Sequence, residues 1–147
     1  MAPLTSWLFP DHAWQRVHID LAELEGQSYL VLTDAFSKWP EVFEMKSTTT
    51  SKVLDLLRFI FACYGLPQQL VSDNGPQFTS AEFKEFCGRN GIQHVRVAPY
   101  HPASNGAAER LVQSFKASLK KSASWFRTVS LANFLLIYRS TPHTTTN

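Results

Sequence analysis

Residues 14–21 read WQRVHIDL, and within them the apolar side chains of Val17 and Ile19 alternate with those of His18 and Asp20. A period of two is typical of a strand that covers a core with one of its faces. This stretch therefore predicts the first strand of a sheet.

Two further strands follow at short intervals. Tyr29–Thr33 is a nearly continuous apolar run, as in strands that are covered on both faces, and Glu41–Met45 is a third short strand. Gly26 marks the turn between the first two. Connections this short favour three consecutive antiparallel strands.

Beyond this region helices alternate with strands. From Val53 onward apolar residues recur at helical spacing, and a later helix is predicted to begin with a capping box of Thr79 and Glu82 and a contact between Phe78 and Phe83. The remaining predicted elements are strands over 69–72 and 92–97 and helices over 107–121 and 129–138. The fold class predicted is α/β, a mixed five-stranded sheet of three antiparallel and two parallel strands flanked by helices.

Composition places the chain among globular domains. It has 147 residues, 44% of them hydrophobic and 18% charged, with a formal net charge of +2. That balance does not by itself indicate nucleic-acid binding. Residues 1–13 read as an irregular lead-in without a signal sequence, and no stretch is apolar enough to span a membrane. Cys63 and Cys87 are far apart, which argues against zinc or a disulfide in this chain, and both are predicted to be buried.

Three acidic residues lie near the ends of predicted strands or at the start of a helix, where α/β proteins commonly bind ligands. Asp20 lies near the end of the first strand, Asp73 directly after the fourth, and Glu109 at the start of a helix. Carboxylates of this kind can hold paired divalent cations for phosphoryl transfer. Each also has a structural explanation: an exposed strand end, an Asx-turn, and a favourable charge at a helix start. The residues alone leave both explanations open.

Four motifs resemble the integrase core of gypsy-type LTR retrotransposons, and they extend the resemblance from about Trp14 to His143. Thirty-five residues separate Asp73 from Glu109, which is the spacing of the last two acids in that family. The motifs are His18-Ile-Asp20, Asp34-Ala-Phe-Ser-Lys-Trp-Pro-Glu41, Val71-Ser-Asp-Asn-Gly-Pro-Gln-Phe78 and Ala98-Pro-Tyr-His-Pro-Ala-Ser-Asn-Gly-Ala-Ala-Glu-Arg110.

The resemblance implies a ribonuclease-H-like fold over residues 14–147, truncated at its C-terminus relative to the family. It implies two magnesium or manganese ions at Asp20, Asp73 and Glu109, which are then the catalytic residues. The implied reactions are 3′-end processing and strand transfer of retroelement DNA into target DNA, in the nucleus, by a homodimer or higher multimer. The family's flanking zinc-binding and DNA-binding domains are missing here. A domesticated, catalytically silent core that binds DNA or protein therefore stays open, as does a ribonuclease-H-type nuclease.

The helix that begins near Glu109 predicts a DNA-binding face. Gln113, Lys116 and Lys120 follow Glu109 at helical spacing, so the four project together. Gln113 and Lys116 match positions that contact DNA in similar integrases. The patch is predicted to extend through Arg110, Lys121 and Arg127.

The preceding loop, 100–106, resembles the mobile active-site loop of the family. Asn105 and Gly106 would permit backbone movement and polar contact, and Tyr100 could stack on a base or pack internally. His18 is predicted to point to the strand face opposite Asp20, and so not to be a ligand.

Overall fold

The computed structural model of the protein describes residues 9–98 and 106–142. The strands are β1 (Arg16–Leu24), β2 (Gln27–Asp34), β3 (Pro40–Met45), β4 (Gln69–Ser72) and β5 (Gln93–Arg96). The helices are α1 (Thr50–Tyr64), α2 (Pro76–Thr79), α3 (Ala81–Arg89), α4 (Gly106–Leu119) and α5 (Arg127–Ser140), with a 3-10 turn at Ser124–Phe126.

The strands form one sheet in the order β3-β2-β1-β4-β5. Strands β1, β2 and β3 pair antiparallel, whereas β4 pairs parallel to both β1 and β5. The predicted mixed α/β sheet is confirmed. Glu25 and Gly26 form the two-residue β1–β2 turn with positive φ angles of 50° and 84°. Two consecutive positive φ values match the twist of the hairpin, and glycine adopts them without strain.

The first strand begins and ends later than the sequence pattern suggests. Trp14 has a φ of +69°, so it cannot belong to a strand, and its backbone N–H donates to Asp34 Oδ1 at 2.8 Å. At the other end, Leu24 still pairs with Gln27. The prediction of residues 14–21 was therefore displaced by two to three residues.

The two faces of the sheet support two hydrophobic cores. The first core joins Val17 and Ile19 of β1 to helices α1, α2 and α3, with Leu57 and Phe83 fully buried. The second core joins β1 and β2 to α4 and α5. Its members are Ala22, Leu24, Tyr29, Val31, Val42, Leu111, Phe115, Leu119 and Leu131. Both faces are covered because side chains alternate along each strand.

Helix α3 begins one residue later than predicted. Its N-cap is Ser80, whose Oγ accepts the backbone N–H of Phe83 at 3.2 Å, and Thr79 instead ends α2. The capping box of Thr79 with Glu82 was wrong, because the short helix α2 already uses Thr79. The predicted contact of Phe78 with Phe83 is confirmed, with ring centroids 5.5 Å apart.

Several apolar side chains stay exposed on and near α5. Leu136 and Ile137 are each 67% exposed and Trp125 is 83% exposed. Cys87 is buried as predicted, but Cys63 is exposed on α1. Over residues 9–98 and 106–142, no helix is both long and apolar enough to cross a bilayer.

Candidate active site

The strand order brings two of the predicted acids close together, because β1 and β4 are neighbours in the sheet. Strands β1 and β4 run parallel, with His18 paired to Val71. Two residues further along the same register lie Asp20 and Asp73. Because adjacent strands are roughly 4.8 Å apart, this register brings Asp20 near the point where β4 ends and Asp73 begins the following turn.

The carboxylate of Asp20 occupies a partly buried, electrostatically crowded position. Its pKa is raised to about 6, by burial above all and then by the negative charges of Asp73 and Glu109, while the Leu21 backbone N–H and the cation of Lys116 act in the opposite direction. The Leu21 N–H donates to Oδ1 at 2.8 Å. The pKa of Asp20 thus depends on the charges of both other predicted acids, because nearby negative charges disfavour the ionised form of a carboxyl group.

Asp73 is oriented by the turn that follows β4. Its Oδ1 accepts the backbone N–H of Gly75 at 2.9 Å, so the Asx-turn is present. Among the described residues nothing donates to its second oxygen. A Cβ on Gly75 would lie only 3.1 Å from Asp73 Oδ1, tighter than most such contacts. Gly75 is therefore a close neighbour of this carboxylate, and one oxygen stays available to a ligand.

Glu109 lies in the first turn of α4 and is exposed to solvent. The opposite side of α4 is anchored in the second core by Leu111, Phe115 and Leu119, each fully buried. The predicted core side of this helix is confirmed. Burial of one face fixes the helix on the sheet and leaves Glu109 on the solvent side.

Within residues 9–98 and 106–142, no group of three or more His, Cys, Asp or Glu side chains is arranged to hold a metal ion. The side chains of Asp20, Asp73 and Glu109 interact electrostatically across this edge without forming a closed chelate. Their donors are all carboxylate oxygens, the ligands that magnesium prefers. The donor chemistry therefore fits the implied ions.

Two other acids of the quoted motifs have a different environment. Asp34 is 1% exposed and accepts hydrogen bonds from the Trp14 N–H and from the N–H and Oγ of Ser37. Glu41 is also buried, and its Oε2 accepts from Trp39 and Tyr64. Donors already saturate these carboxylates, so they stabilise the fold. Asp20 and Asp73 each keep an oxygen without a protein donor among the described residues.

The predicted DNA-contacting residues are only partly described. Gln113 and Lys120 are exposed, with Lys120 just beyond the end of α4, and Lys116 is half-buried close enough to Asp20 to lower its pKa. Gly106 is the first residue of α4. Tyr100 and Asn105 lie outside the described residues.

Two interpretations of single residues were wrong. His18 shares a strand face with Asp20, because residues two apart on a strand point the same way, and its ring accepts from Arg16 Nε at 3.1 Å. Arg127 does not extend the DNA-binding patch. It is only 8% exposed and pairs with Glu25 at 3.0 Å.

A cationic neighbourhood near the start of α4 was missed by the sequence reasoning. Burial lowers the pKa of Lys38, and the nearby charges of Arg110 and Arg16 lower it further, while Asp34 raises it. Lys38 has a φ of +65° and donates through Nζ to the Ala35 carbonyl. The residues come together only because β1, β2 and α4 pack side by side, so sequence spacing gave no signal.

Comparison with known proteins identifies the family. The sequence profile of the integrase core domain matches residues 10–102. The chain belongs to the integrase core family. An uncharacterized protein of Caenorhabditis elegans is 42% identical over 151 aligned positions, which cover 100% of this chain and 12% of that protein. The Gag-Pro-Pol polyprotein of Mason-Pfizer monkey virus is 34% identical, over 81% of this chain and 7% of the polyprotein.

Solved integrase cores share the fold. The catalytic core domain of BIV integrase superposes with a TM-score of 0.73 at 21% identity, covering 89% of this integrase core and 87% of that chain. The HTLV-2 integrase catalytic core domain, solved in complex with magnesium in a dimeric form, gives a TM-score of 0.65 at 22% identity and covers 84% of each chain. The ribonuclease-H-like fold is thereby confirmed. The present chain spans only about an eighth or less of the two relatives named above.

Proposed function

We propose that this integrase core, residues 14–147, carries out phosphoryl transfer on DNA with Asp20, Asp73 and Glu109 as its catalytic carboxylates. The supporting observation is that Asp20 lies on β1 and Asp73 directly follows the parallel neighbouring strand β4, together with a pKa of Asp20 that the charges of Asp73 and Glu109 help to raise. Perturbed carboxylates at a strand edge are typical of catalytic sites.

The proposed reactions are two. Water first cleaves a phosphodiester near the 3′ end of the retroelement DNA. The freed 3′-hydroxyl then attacks a phosphorus of target DNA, so that one P–O bond forms as another breaks. Target DNA is chromosomal, which places the activity in the nucleus.

Two magnesium or manganese ions held by Asp20, Asp73 and Glu109 would activate the attacking oxygen and stabilise the leaving one. The magnesium in the related HTLV-2 core supports this choice of metal. Bound cations would also relieve the repulsion that contributes to the high pKa of Asp20.

The surrounding residues of the chain orient these carboxylates and the DNA. The Leu21 N–H donates to one oxygen of Asp20, and the Gly75 N–H donates to one oxygen of Asp73. In each carboxylate the other oxygen is left for a ligand. Lys116 puts a cation beside Asp20, where it can pair with a DNA phosphate. Gln113 and Lys120 continue this polar face, and Tyr100, Asn105 and Gly106 are proposed to contact DNA from the adjoining loop.

A strand-transfer or disintegration assay with magnesium or manganese tests the proposal. Asp73→Asn is expected to reduce joining at least about a hundredfold, since it removes a carboxylate proposed to hold the metal ions that would stabilise the transition state. The matched control is Asp55→Asn, an exposed acid on α1 that pairs only with Arg58 among the described residues. Equal joining by wild type and Asp73→Asn would refute catalysis at this site. Cleavage of RNA–DNA hybrids without joining would assign a nuclease instead.

A second candidate function is a catalytically silent module for DNA or protein binding. The exposed apolar side chains of the neighbouring residues Leu136 and Ile137 on α5, and of Trp125 before that helix, favour it, since exposed apolar groups can mark interaction surfaces. The same surface supports a homodimer or higher multimer, the state named for the HTLV-2 core. An inactive wild-type protein that still binds DNA would select this candidate.

A further inference from the structure

A cavity of about 340 Å³ lies between α3 and β5, on the first-core face of the sheet. Its walls include the cationic side chains of Lys84 and Arg96, the ring of His94 and the hydroxyl-bearing residues Thr79 and Ser80. No carboxylate is among its lining residues. A concave surface with cations and hydroxyls but no acid is suited to an anion.

The two cations of this cavity have no charged or hydrogen-bonding partner among residues 9–98 and 106–142. Lys84 and Arg96 are both exposed, and neither side chain makes an ion pair or hydrogen bond with a described residue. By contrast, Arg89 on the same helix pairs with Glu85 at 3.3 Å. The charges of Lys84 and Arg96 therefore remain available to a ligand.

The cavity adjoins the strand end that carries Asp73. Arg96 pairs with Ser72 in the β4–β5 register, and Asp73 is the next residue. His94 lies on the same strand, with its Nε2 2.7 Å from Ser72 Oγ. Asp20 lies on the other face of the sheet, so the cavity and the carboxylates lie on either side of the end of β4.

We propose that this cavity binds a backbone phosphate of DNA through Lys84 and Arg96, on the opposite side of the end of β4 from the carboxylates. The inference rests on the proposed function, because a strand that reaches Asp73 carries its neighbouring phosphates past the end of β4. Phosphate contacts by Lys and Arg fix the register of DNA on a protein.

Fluorescence anisotropy of a labelled DNA duplex, titrated with the full chain in EDTA over a range of salt concentrations, tests this inference. Lys84→Gln and Arg96→Gln are each expected to weaken binding by about five- to tenfold near 0.1 M salt and to reduce the salt slope by about one. Arg96→Lys keeps the cation and should retain most of the affinity. Arg89→Gln, the same charge change on α3 outside the cavity, should bind like wild type.

Each outcome decides the inference. Weaker binding and a smaller salt slope in the two cavity variants, but not in Arg89→Gln, support it. Equal binding by all variants overturns it. Inorganic phosphate that shifts the His94 NMR signals while DNA binding stays unchanged in the variants also overturns it, because the cavity would then take a free anion. The assay contains no metal, so failure of strand transfer leaves its result intact.

Discussion

Helices α1 and α5, on opposite faces of the sheet, differ in how many of their apolar residues are fully buried. On the first-core side, α1 begins with the Thr49 side chain accepting the Lys52 N–H and ends at Gly65, and its apolar residues Val53, Leu54 and Leu57 are fully buried. On the second-core side, α5 buries Leu131 but leaves Leu136 and Ile137 largely exposed.

We infer that the first core mainly stabilises the sheet, whereas the opposite face carries the proposed carboxylate site. The first core holds β1 and β4 together from one side, so that their ends keep a fixed register. The second face carries Asp20, Glu109 and the apolar surface of α5. Functional sites commonly keep such exposed or crowded groups at a cost in stability.

The largest expected effect is on the first core. Leu57→Ala should lower the free energy of unfolding by about 3–5 kcal/mol, because it leaves a cavity in a fully buried position. Leu136→Ala, the same substitution on the exposed surface of α5, should change it by less than about 0.5 kcal/mol. Urea denaturation measures both. Similar losses in the two variants would mean that α5 is as enclosed as α1.

A smaller effect of opposite sign is expected at Asp20. Its pKa of about 6 lies above the ordinary value of 3.8, so the folded state binds more protons between these limits. The free energy of unfolding should therefore fall as pH rises from about 4 to 6. Asp20→Asn should remove that fall and stabilise the metal-free protein at pH 7 by about 2 kcal/mol. An Asp20→Asn protein that is less stable than wild type and has the same dependence of stability on pH would contradict a raised pKa for Asp20.

An effect of comparable size, with the reverse pH dependence, is expected at His94 on the first-core side. Burial, and then the charge of Arg96, lower its pKa to about 4 from 6.5, so the unfolded state binds more protons between these values. Stability should therefore decline as pH falls from 6.5 towards 4, the reverse of the Asp20 contribution. The melting temperature of His94→Gln should fall less between pH 6.5 and 4 than that of wild type. An equally large fall in both proteins would exclude His94 as the source of the acid sensitivity.

The architecture was readable from the sequence wherever periodicity was strong. The apolar runs of β2 and the helical spacing of α1 both gave the right element. At α3 the predicted N-cap was wrong, because Thr79 belongs to the preceding short helix α2 and Ser80 is the cap. At β1, the left-handed backbone of Trp14 set a later start.

The candidate site was predicted by motif resemblance, but its geometry was not. The proximity of Asp20 and Asp73 depends on β4 lying beside β1, which only the folded sheet determines. Arg127 looked like a member of a cationic surface, yet packing buries it against Glu25. The cavity cations Lys84 and Arg96 come from separate elements, α3 and β5, and share no sequence pattern.

The proposed carboxylate site is tested most directly by the pKa of Asp20, measured by ¹³C NMR of its carboxyl group in wild type and in Asp73→Asn. We expect a value of about 6 without metal, a lower value in Asp73→Asn, and a further fall in wild type when magnesium is added. A wild-type value near 3.8 that responds neither to Asp73→Asn nor to magnesium would contradict a shared carboxylate site.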